Sequence, residues 1–265
     1  MLDTPAPSVE PARSQRDFYE HIDLVHVYEP ERTEVQLELL RDVDLAATRV
    51  LDLGCGEGRQ VQRMRGVLGD PAVIGLDLSV TCLGLARDAG ALPIAAAIDE
   101  HPLPFRDASF DVVVFSEVIE HLVDTDGVLD EILRVLAPGG TLIISTPNLG
   151  AWFNRVLLVI GRQPVFSEVS RRKVFGRGGW QLAGHLRLFN HRAFNEFLAD
   201  RPHAELEVVG APYHGVPTPA RWFDRLVARH APSLAAILVA RLVTPLSPSP
   251  TRNVSSLSRE AEAER

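Results

Sequence analysis

Residues 49 to 59 read RVLDLGCGEGR, in which three glycines at alternate positions directly follow a short run typical of a buried strand. Glycine loses more backbone entropy on folding than other residues, so such density marks a sharp bend or a place where another group approaches the backbone closely. A bound ligand is the usual reason for it at the end of a strand. The stretch therefore predicts a ligand-binding turn.

Strand-type and helix-type patterns alternate from this turn onward. Each strand-type run is almost continuously apolar, as expected for strands buried on both faces of a parallel sheet. Repeated units of this kind predict an α/β, doubly wound sheet that binds ligands at the carboxyl ends of its strands. The predicted strands are VLDL (50–53), AVIGLD (72–77), PIAAAI (93–98), DVVVFS (111–116) and TLIIST (141–146). The predicted helices between them are 58–68, 80–90 and 126–140, the last stopped by the Pro-Gly-Gly at 138–140.

The flanking segments predict one domain with tails. Residues 1–16 and 247–265 are rich in proline, serine and charge, which predicts disordered tails on either side of a domain at 17–246. The further predicted helices are 16–24, 31–43, 191–200 and 220–231, and the further predicted strands begin at 204 and span 235–243.

The segment that follows Pro147 lacks strand periodicity. Residues 148–185 contain several aromatic and arginine residues, and we interpret them as an insertion that is a candidate lid over the pocket. His185 and Arg187 lie in the motif GHLRLF at its end. They could orient an acceptor at the rim of the pocket or tie the lid to the body, and the sequence leaves both roles open.

Composition excludes some function classes. The chain has 265 residues, a formal net charge of −8 and a pI near 5.6, which disfavours a nucleic-acid partner because such proteins cluster basic residues against phosphates. Two cysteines, Cys55 and Cys82, exclude a disulfide framework and a cysteine-rich metal site. With no signal-peptide pattern at the start, these features predict a cytoplasmic protein. The most apolar stretches fall short of the roughly 20 residues that a membrane span needs, although peripheral membrane contact stays open, as does the oligomeric state.

The turn does not fit a pyrophosphate site, and nearby acids predict another ligand. The dinucleotide fingerprint needs glycine at position 59, where this chain has Arg59, and the lysine of a P-loop is absent. Asp52, Asp77 and Asp99 follow or end the first three predicted strands. Carboxylates there can accept hydrogen bonds from a ribose diol and from an adenine amine but would repel phosphate. The pattern therefore predicts a pocket for a neutral or cationic adenosine compound.

Four segments carry a family resemblance. In order and spacing, DLGCGEG, GLDLS, IDEHPLPFRDASFDVVVFSEVIEHL and LRVLAPGGTLIISTPN resemble the successive motifs of class I S-adenosylmethionine-dependent methyltransferases. The likeness is close over residues 48–148 and looser to about 243. It implies a Rossmann-like sheet of seven strands in the order 3-2-1-4-5-7-6 with strand 7 antiparallel, and S-adenosylmethionine as the cofactor, released as S-adenosylhomocysteine.

The resemblance also assigns cofactor contacts. It places Gly54, Gly56 and Gly58 against the methionine part of the cofactor, with Asp52 near the amino group, directly or through water. Asp77 would accept from the ribose, with Leu78 beside it. Asp99 would accept from the adenine amine, with the Ile98 backbone alongside, although the family usually has a small residue at position 98.

The segment SEVIEHL, at 116–122, would line the methyl-transfer side through Ser116 and Glu117. Within it, His121 is the candidate general base, because an imidazole titrates near neutral pH. In ubiquinone-type O-methyltransferases, which this segment resembles, the Glu-x-x-Glu-His pattern has been associated with a divalent cation. Glu120 and His121 could instead only cap or pack a helix, and we assign no metal ligand.

The sequence favours an enzyme that methylates a small-molecule hydroxyl of a sugar, a quinone- or phenol-like ring, a lipid-linked compound or a secondary metabolite. Small-molecule N- or C-methylation by the same scaffold, or a non-catalytic protein that binds S-adenosylmethionine, remain alternatives. A nicotinamide-dependent oxidoreductase is disfavoured by Arg59 and by the order of the motifs.

Overall fold

A computed structural model describes residues 30–41, 43, 49–99, 102–170, 173–176 and 183–246. The predicted tails and the predicted helix at 16–24 lie outside the described residues.

Seven strands of the described chain form one sheet in the order β3-β2-β1-β4-β5-β7-β6, which confirms the order that the resemblance implied. The pairs β1–β2, β1–β4, β2–β3 and β4–β5 are parallel, whereas β7 is antiparallel to both β5 and β6. The strands are β1 Val50–Leu53, β2 Val73–Asp77, β3 Leu92–Ala95, β4 Phe110–Ser116, β5 Leu136–Pro147, β6 Glu205–Ala211 and β7 Ile237–Val243.

Helices cover both faces of the sheet, which explains why its strands read as continuous apolar runs. In β4, Val113 and Phe115 pack into one core with the helices α4 and α6, whereas Val112 and Val114 pack into a second core with α1, α2 and α3. Alternate side chains of one strand are thus buried on opposite faces. The helices are α1 Pro30–Leu40, α2 Val61–Val67, α3 Val80–Asp88, α4 Thr125–Val135, α5 Trp152–Val159, α6 His191–Ala199 and α7 Arg221–His230.

Two predicted boundaries were wrong. The helix predicted over 126–140 ends at Val135, and residues 136–140, including the Pro-Gly-Gly, belong to β5. The reason is tertiary, because Leu136 pairs with Phe110 across a register shift in the sheet. The third strand ends at Ala95 rather than residue 98, so that Ile98 and Asp99 lie in the following turn.

No helix in the described ranges is long and apolar enough to span a bilayer. Within the predicted insertion, α5 is the one regular helix among the residues described. Val156 and Val159 of this helix are exposed, as is Ile160 directly after it.

Candidate functional site

The glycine turn after β1 needs glycine for two different reasons. Gly54, Gly56 and Gly58 have φ values of 79°, 51° and 71°, a region that side chains rarely adopt. A Cβ on Gly54 would lie 2.5 Å from Cγ2 of Val118, and one on Gly58 would lie 2.8 Å from Cα of Ala86. A Cβ on Gly56 would meet no atom within 4 Å. Packing therefore requires Gly54 and Gly58, whereas Gly56 presents its backbone to open space that a ligand can enter.

Asp52 offers an unsatisfied acceptor beside this turn. Its side chain is fully buried, and Oδ1 accepts a hydrogen bond of 3.2 Å from Nε2 of Gln60, while Oδ2 has no hydrogen-bond partner. Burial raises the pKa of Asp52 to about 7, and the charge of Asp77 contributes to the rise. A buried oxygen without a donor is costly, so the site fits a ligand that brings a cationic or N–H donor to Asp52.

The raised pKa of Asp52 predicts a measurable pH dependence of stability. Because the folded protein binds this proton more tightly than the unfolded chain, the contribution of Asp52 to stability falls as pH rises from about 4 through about 7. In the absence of ligand, Asp52→Asn should gain stability relative to the wild type as the pH rises, by about 2 to 4 kcal/mol between about pH 4 and about pH 8. Urea unfolding of both proteins across this range measures the difference. A difference that stays constant with pH would contradict the prediction.

Asp77, at the end of β2, is fixed by two backbone donors. Its Oδ2 accepts from the amide of Gly56 at 2.8 Å, and its Oδ1 accepts from the amide of Ser79 at 2.9 Å. Ser79 in turn caps α3 by accepting from the amide of Cys82. The carboxylate therefore links the glycine turn to the start of the next helix and holds a defined position at the edge of the sheet.

The remaining predicted adenosine contacts flank the same edge. Leu78 and Asp99 are half-buried, whereas Ile98 is 8% exposed. The Cδ1 atom of Ile98 would lie 3.6 Å from a Cβ built on Gly54, so the turn after β3 lies against the glycine turn. The structure thus brings the predicted residues of the first three strands to one edge.

The end of β4 is joined to a helix that the sequence analysis did not connect with the site. Nε2 of Gln36, on α1, donates to Oγ of Ser116 at 2.7 Å and to Oγ of Ser145 at 3.3 Å. Ser145 donates to Oε1 of Glu117 at 2.8 Å, and Arg32 on α1 lies 3.8 Å from the other oxygen of Glu117. Glu117 has a φ of 56°, a strained value that these contacts maintain. The signal in the sequence was the placement of Arg32 and Gln36 four residues apart on one face of a helix.

Glu120, His121 and His185 form a cluster beyond β4. Glu120 is 1% exposed; its Oε2 accepts from Oγ1 of Thr146 at 3.3 Å, and its Oε1 lacks a hydrogen bond. That Oε1 lies 3.9 Å from Nε2 of His121 and 3.9 Å from Nε2 of His185. Burial raises the pKa of Glu120 well above its usual value, with the charge of Glu117 adding to the rise. Glu120 therefore keeps its proton to a higher pH than an exposed glutamate would.

His185 enters the site from the far end of the insertion. Its Nδ1 lies 2.8 Å from the carbonyl oxygen of Phe166, which can only accept, so we assign the proton of the neutral ring to Nδ1. Nε2 is then an acceptor facing Glu120. The amides of Leu186 and Arg187 donate to the carbonyl oxygen of Glu120 at 2.7 and 2.9 Å. The backbone of GHLRLF therefore ties the insertion to the body, which is one of the two roles that the sequence left open. In addition, the ring of His185 reaches the cluster.

The cluster has the donor set of a metal site. Glu120, His121 and His185 each offer one ligand atom, and these atoms lie within 4.8 Å of one another. Imidazole and carboxylate ligands suit a transition metal better than magnesium. Glu117, which belongs to the Glu-x-x-Glu-His pattern, is instead hydrogen-bonded to Ser145.

Aromatic side chains of the insertion pack beside the cluster. The ring of Phe166 lies 6.1 Å from that of His185 and 5.2 Å from that of Tyr213, and Phe153 lies 6.4 Å from Phe166. Trp152 donates from Nε1 to Oδ1 of Asp224 on α7 at 2.8 Å and so anchors the start of α5. These contacts make one wall of the site apolar. The movement of this segment as a lid stays a prediction.

Comparisons with known proteins agree with this architecture. A family model described as a methyltransferase domain matches residues 51–144. Over 191 residues the chain is 31% identical to a trans-aconitate 2-methyltransferase of Methylobacterium radiotolerans, covering 71% of this chain and 70% of that protein. Over 108 residues it is 33% identical to a ubiquinone biosynthesis O-methyltransferase of Sinorhizobium medicae, covering 39% of this chain and 43% of that protein. A solved S-adenosylmethionine-dependent methyltransferase of Thermotoga maritima, described as a possible histamine N-methyltransferase, superposes with a TM-score of 0.53 at 20% identity, covering 86% of this chain and 95% of that one.

Proposed function

This chain belongs to the class I S-adenosylmethionine-dependent methyltransferases, and from that premise we propose that it methylates a hydroxyl group of a small molecule. The supporting observation is the pair of imidazoles of His121 and His185 beside buried Glu120 at the carboxyl end of β4. A hydroxyl must lose its proton as it is methylated, and imidazole is the side chain best suited to accept one near neutral pH. A sugar, a quinone- or phenol-like ring, a lipid-linked compound or a secondary metabolite would meet this requirement.

The residues at the strand ends fit the proposed cofactor. When bound, S-adenosylmethionine supplies an electrophilic methyl group on a positively charged sulfur. Oδ2 of Asp52, which lacks a donor, suits the ammonium of the methionine part, and the open side of Gly56 leaves room for that part against the backbone. Asp77 would accept from the ribose and Asp99 from the adenine amine. Leu78, Ile98 and Ser116 would contribute the surrounding surface.

The residues beyond β4 would then position and deprotonate the acceptor. In-line displacement depends on holding the nucleophile at the correct distance and angle, which the aromatic wall of Phe153, Phe166 and Tyr213 supports for a ring or an apolar acceptor. We assign proton removal to His121. Glu120 and His185 would hold the imidazole in place.

A methyl-labelled transfer assay tests the proposal. The purified protein, labelled S-adenosylmethionine and a panel of hydroxyl, amine and carbon acceptors are incubated together, and the products are identified by mass spectrometry. Methyl ethers are expected. N- or C-methylated products alone would overturn O-methylation while leaving the family assignment intact, and cofactor binding without transfer to any acceptor would favour the binding-protein alternative.

A chelator arm of the same assay addresses the cluster as a metal site. If His121 acts as a base alone, activity should persist in chelator, and added Mn²⁺ or Zn²⁺ should not raise it. Loss of activity in chelator and recovery on addition of one ion would instead assign Glu120, His121 and His185 to a cation that binds the acceptor.

A further inference from the structure

Two neighbouring helices expose large apolar side chains to solvent. On α7, Trp222 is 67% exposed and Leu226 is 49% exposed, and on α5 Val159 is 87% exposed. Single exposed apolar residues are common on soluble proteins, but a contiguous set of them marks an interaction site. We call this set the outer apolar surface, and it comprises Val156, Val159, Ile160, Trp222, Phe223 and Leu226.

Aromatic contacts join the two parts of the outer apolar surface. The centroid of the Phe223 ring lies 5.3 Å from that of Trp152 and 5.9 Å from that of Trp222. Trp152 begins α5, and Val156 and Val159 follow it at helical spacing, so all three lie on the same side of that helix. The exposed apolar residues of α7 therefore continue into those of α5.

The charges around this surface are almost all positive. Residues 149–167 and 212–234, which contain α5 and α7, have a single acidic residue, Asp224, and it is buried. The same segments expose five arginines, although the whole chain has a formal net charge of −8. Among the described residues, a carboxylate lies within 4 Å of one of these five, where Glu31 is 3.5 Å from Arg225. The five are Arg155, Arg162, Arg221, Arg225 and Arg229.

A basic cavity adjoins the outer apolar surface on the flank of α5. Arg155 and Leu158 line it from α5, and His191 and Arg192 line it from the start of α6. Its volume of about 480 Å³ is in the range of small-molecule sites. The cavity therefore places room for a small anionic group directly beside exposed apolar side chains.

A bilayer with negatively charged headgroups matches both the apolar residues and the arginines. Apolar side chains of interfacial helices enter the boundary between headgroups and acyl chains, tryptophan is favoured there, and arginines are attracted to anionic lipids. A second copy of this chain matches less well, because a two-fold contact would place the same arginines against each other. We propose that the outer apolar surface and its arginines bind a membrane surface that contains anionic phospholipids. This inference does not depend on which group the protein methylates.

Vesicle sedimentation with the purified protein tests the proposal. Vesicles of phosphatidylcholine alone are compared with vesicles of equal parts of phosphatidylcholine and phosphatidylglycerol, in low and in high salt. Binding to the anionic vesicles is expected, and it should weaken in high salt because surface charges are screened. Trp222→Glu and Val159→Glu should each weaken this binding about tenfold, and Arg229→Gln should weaken it about fivefold.

Leu85→Glu and Arg87→Gln are the matched controls. Both residues are exposed on α3, which packs on β2 and β3, whereas α7 packs on β6 at the opposite edge of the sheet. The controls change charge and hydrophobicity in the same way as the test variants and should leave vesicle binding unchanged. Because every substituted position is exposed, all these variants should unfold in urea like the wild type.

Two further measurements distinguish a membrane from other partners. The fluorescence emission of the protein should shift to shorter wavelength on anionic vesicles, and Trp222→Phe should remove most of that shift, because an indole that enters the bilayer leaves water. Absence of binding, equal binding to both kinds of vesicle, or equal loss in the control variants would overturn the proposal. A wild type that is dimeric in sedimentation velocity without lipid, with a monomeric Val159→Glu, would instead assign the surface to a second copy of the chain.

Discussion

Gly58→Ala is expected to lower the free energy of unfolding by about 3 kcal/mol, because it combines backbone strain with a steric clash. Gly58 has a φ of 71°, and a Cβ there would lie 2.8 Å from Cα of Ala86 and 3.3 Å from its carbonyl oxygen. These are backbone atoms of α3, so relief requires the helix to move away from the turn. Urea unfolding, followed by circular dichroism, measures the loss.

Gly56→Ala is the matched control for this prediction. Its φ of 51° also lies in the left-handed region, but a Cβ there would meet no atom within 4 Å. Gly56→Ala should therefore lower the free energy of unfolding only through backbone strain, by about 1 kcal/mol. Because the added methyl group enters the space proposed for the cofactor, S-adenosylhomocysteine should bind about tenfold or more weakly, in a protein that still folds. Equal stability losses at the two positions would show that the contact with Ala86 does not constrain the turn.

Local patterns were sufficient to predict the sheet because each strand carries its own signal. Val112 to Phe115 are all apolar because helices cover both faces of β4. The turn after β1 needs three positive φ values within five residues, and the sequence therefore has three glycines there. The order of the strands followed from the family resemblance rather than from any local pattern. The site residues on these strands could therefore be placed at one edge before the structure was known.

The parts of the site that the sequence did not predict depend on contacts between distant segments. Gln36 meets Ser116 across 80 positions of the chain, and His185 meets Glu120 across 65. No local pattern predicts such a contact, because the sequence of an amphipathic helix does not distinguish a polar residue that contacts a strand from one that faces solvent. The end of α4 was misplaced for a related reason: pairing between Leu136 and Phe110 extends the strand through a Pro-Gly-Gly that locally resembles a helix stop.

His121→Ala is expected to lower kcat by about 100-fold to 1,000-fold, in line with the loss of a general base. Affinity for S-adenosylhomocysteine should stay within about twofold of wild type, because His121 lies five residues beyond Ser116 at the end of β4 and is not among the proposed cofactor contacts. Steady-state kinetics with the acceptor found in the transfer assay, together with calorimetry, measure both quantities. His230→Ala, at the exposed end of α7, is the matched control and should be active at the wild-type rate.

The neighbouring side chains make this prediction specific to His121. If its imidazole accepts the proton, added imidazole should restore part of the lost rate in His121→Ala, whereas a purely structural histidine would not be rescued by a soluble base. His185→Ala should lower kcat less than His121→Ala does. The Nδ1 atom of His185 is hydrogen-bonded to the carbonyl oxygen of Phe166, and its ring mainly holds the cluster together. The opposite ranking, with His185→Ala inactive and His121→Ala active, would move the base to His185, whose Nε2 faces the same buried carboxyl of Glu120 at the same distance of 3.9 Å. The two histidines are thus equally distant from Glu120, and the ranking of the two variants identifies which one acts as the base.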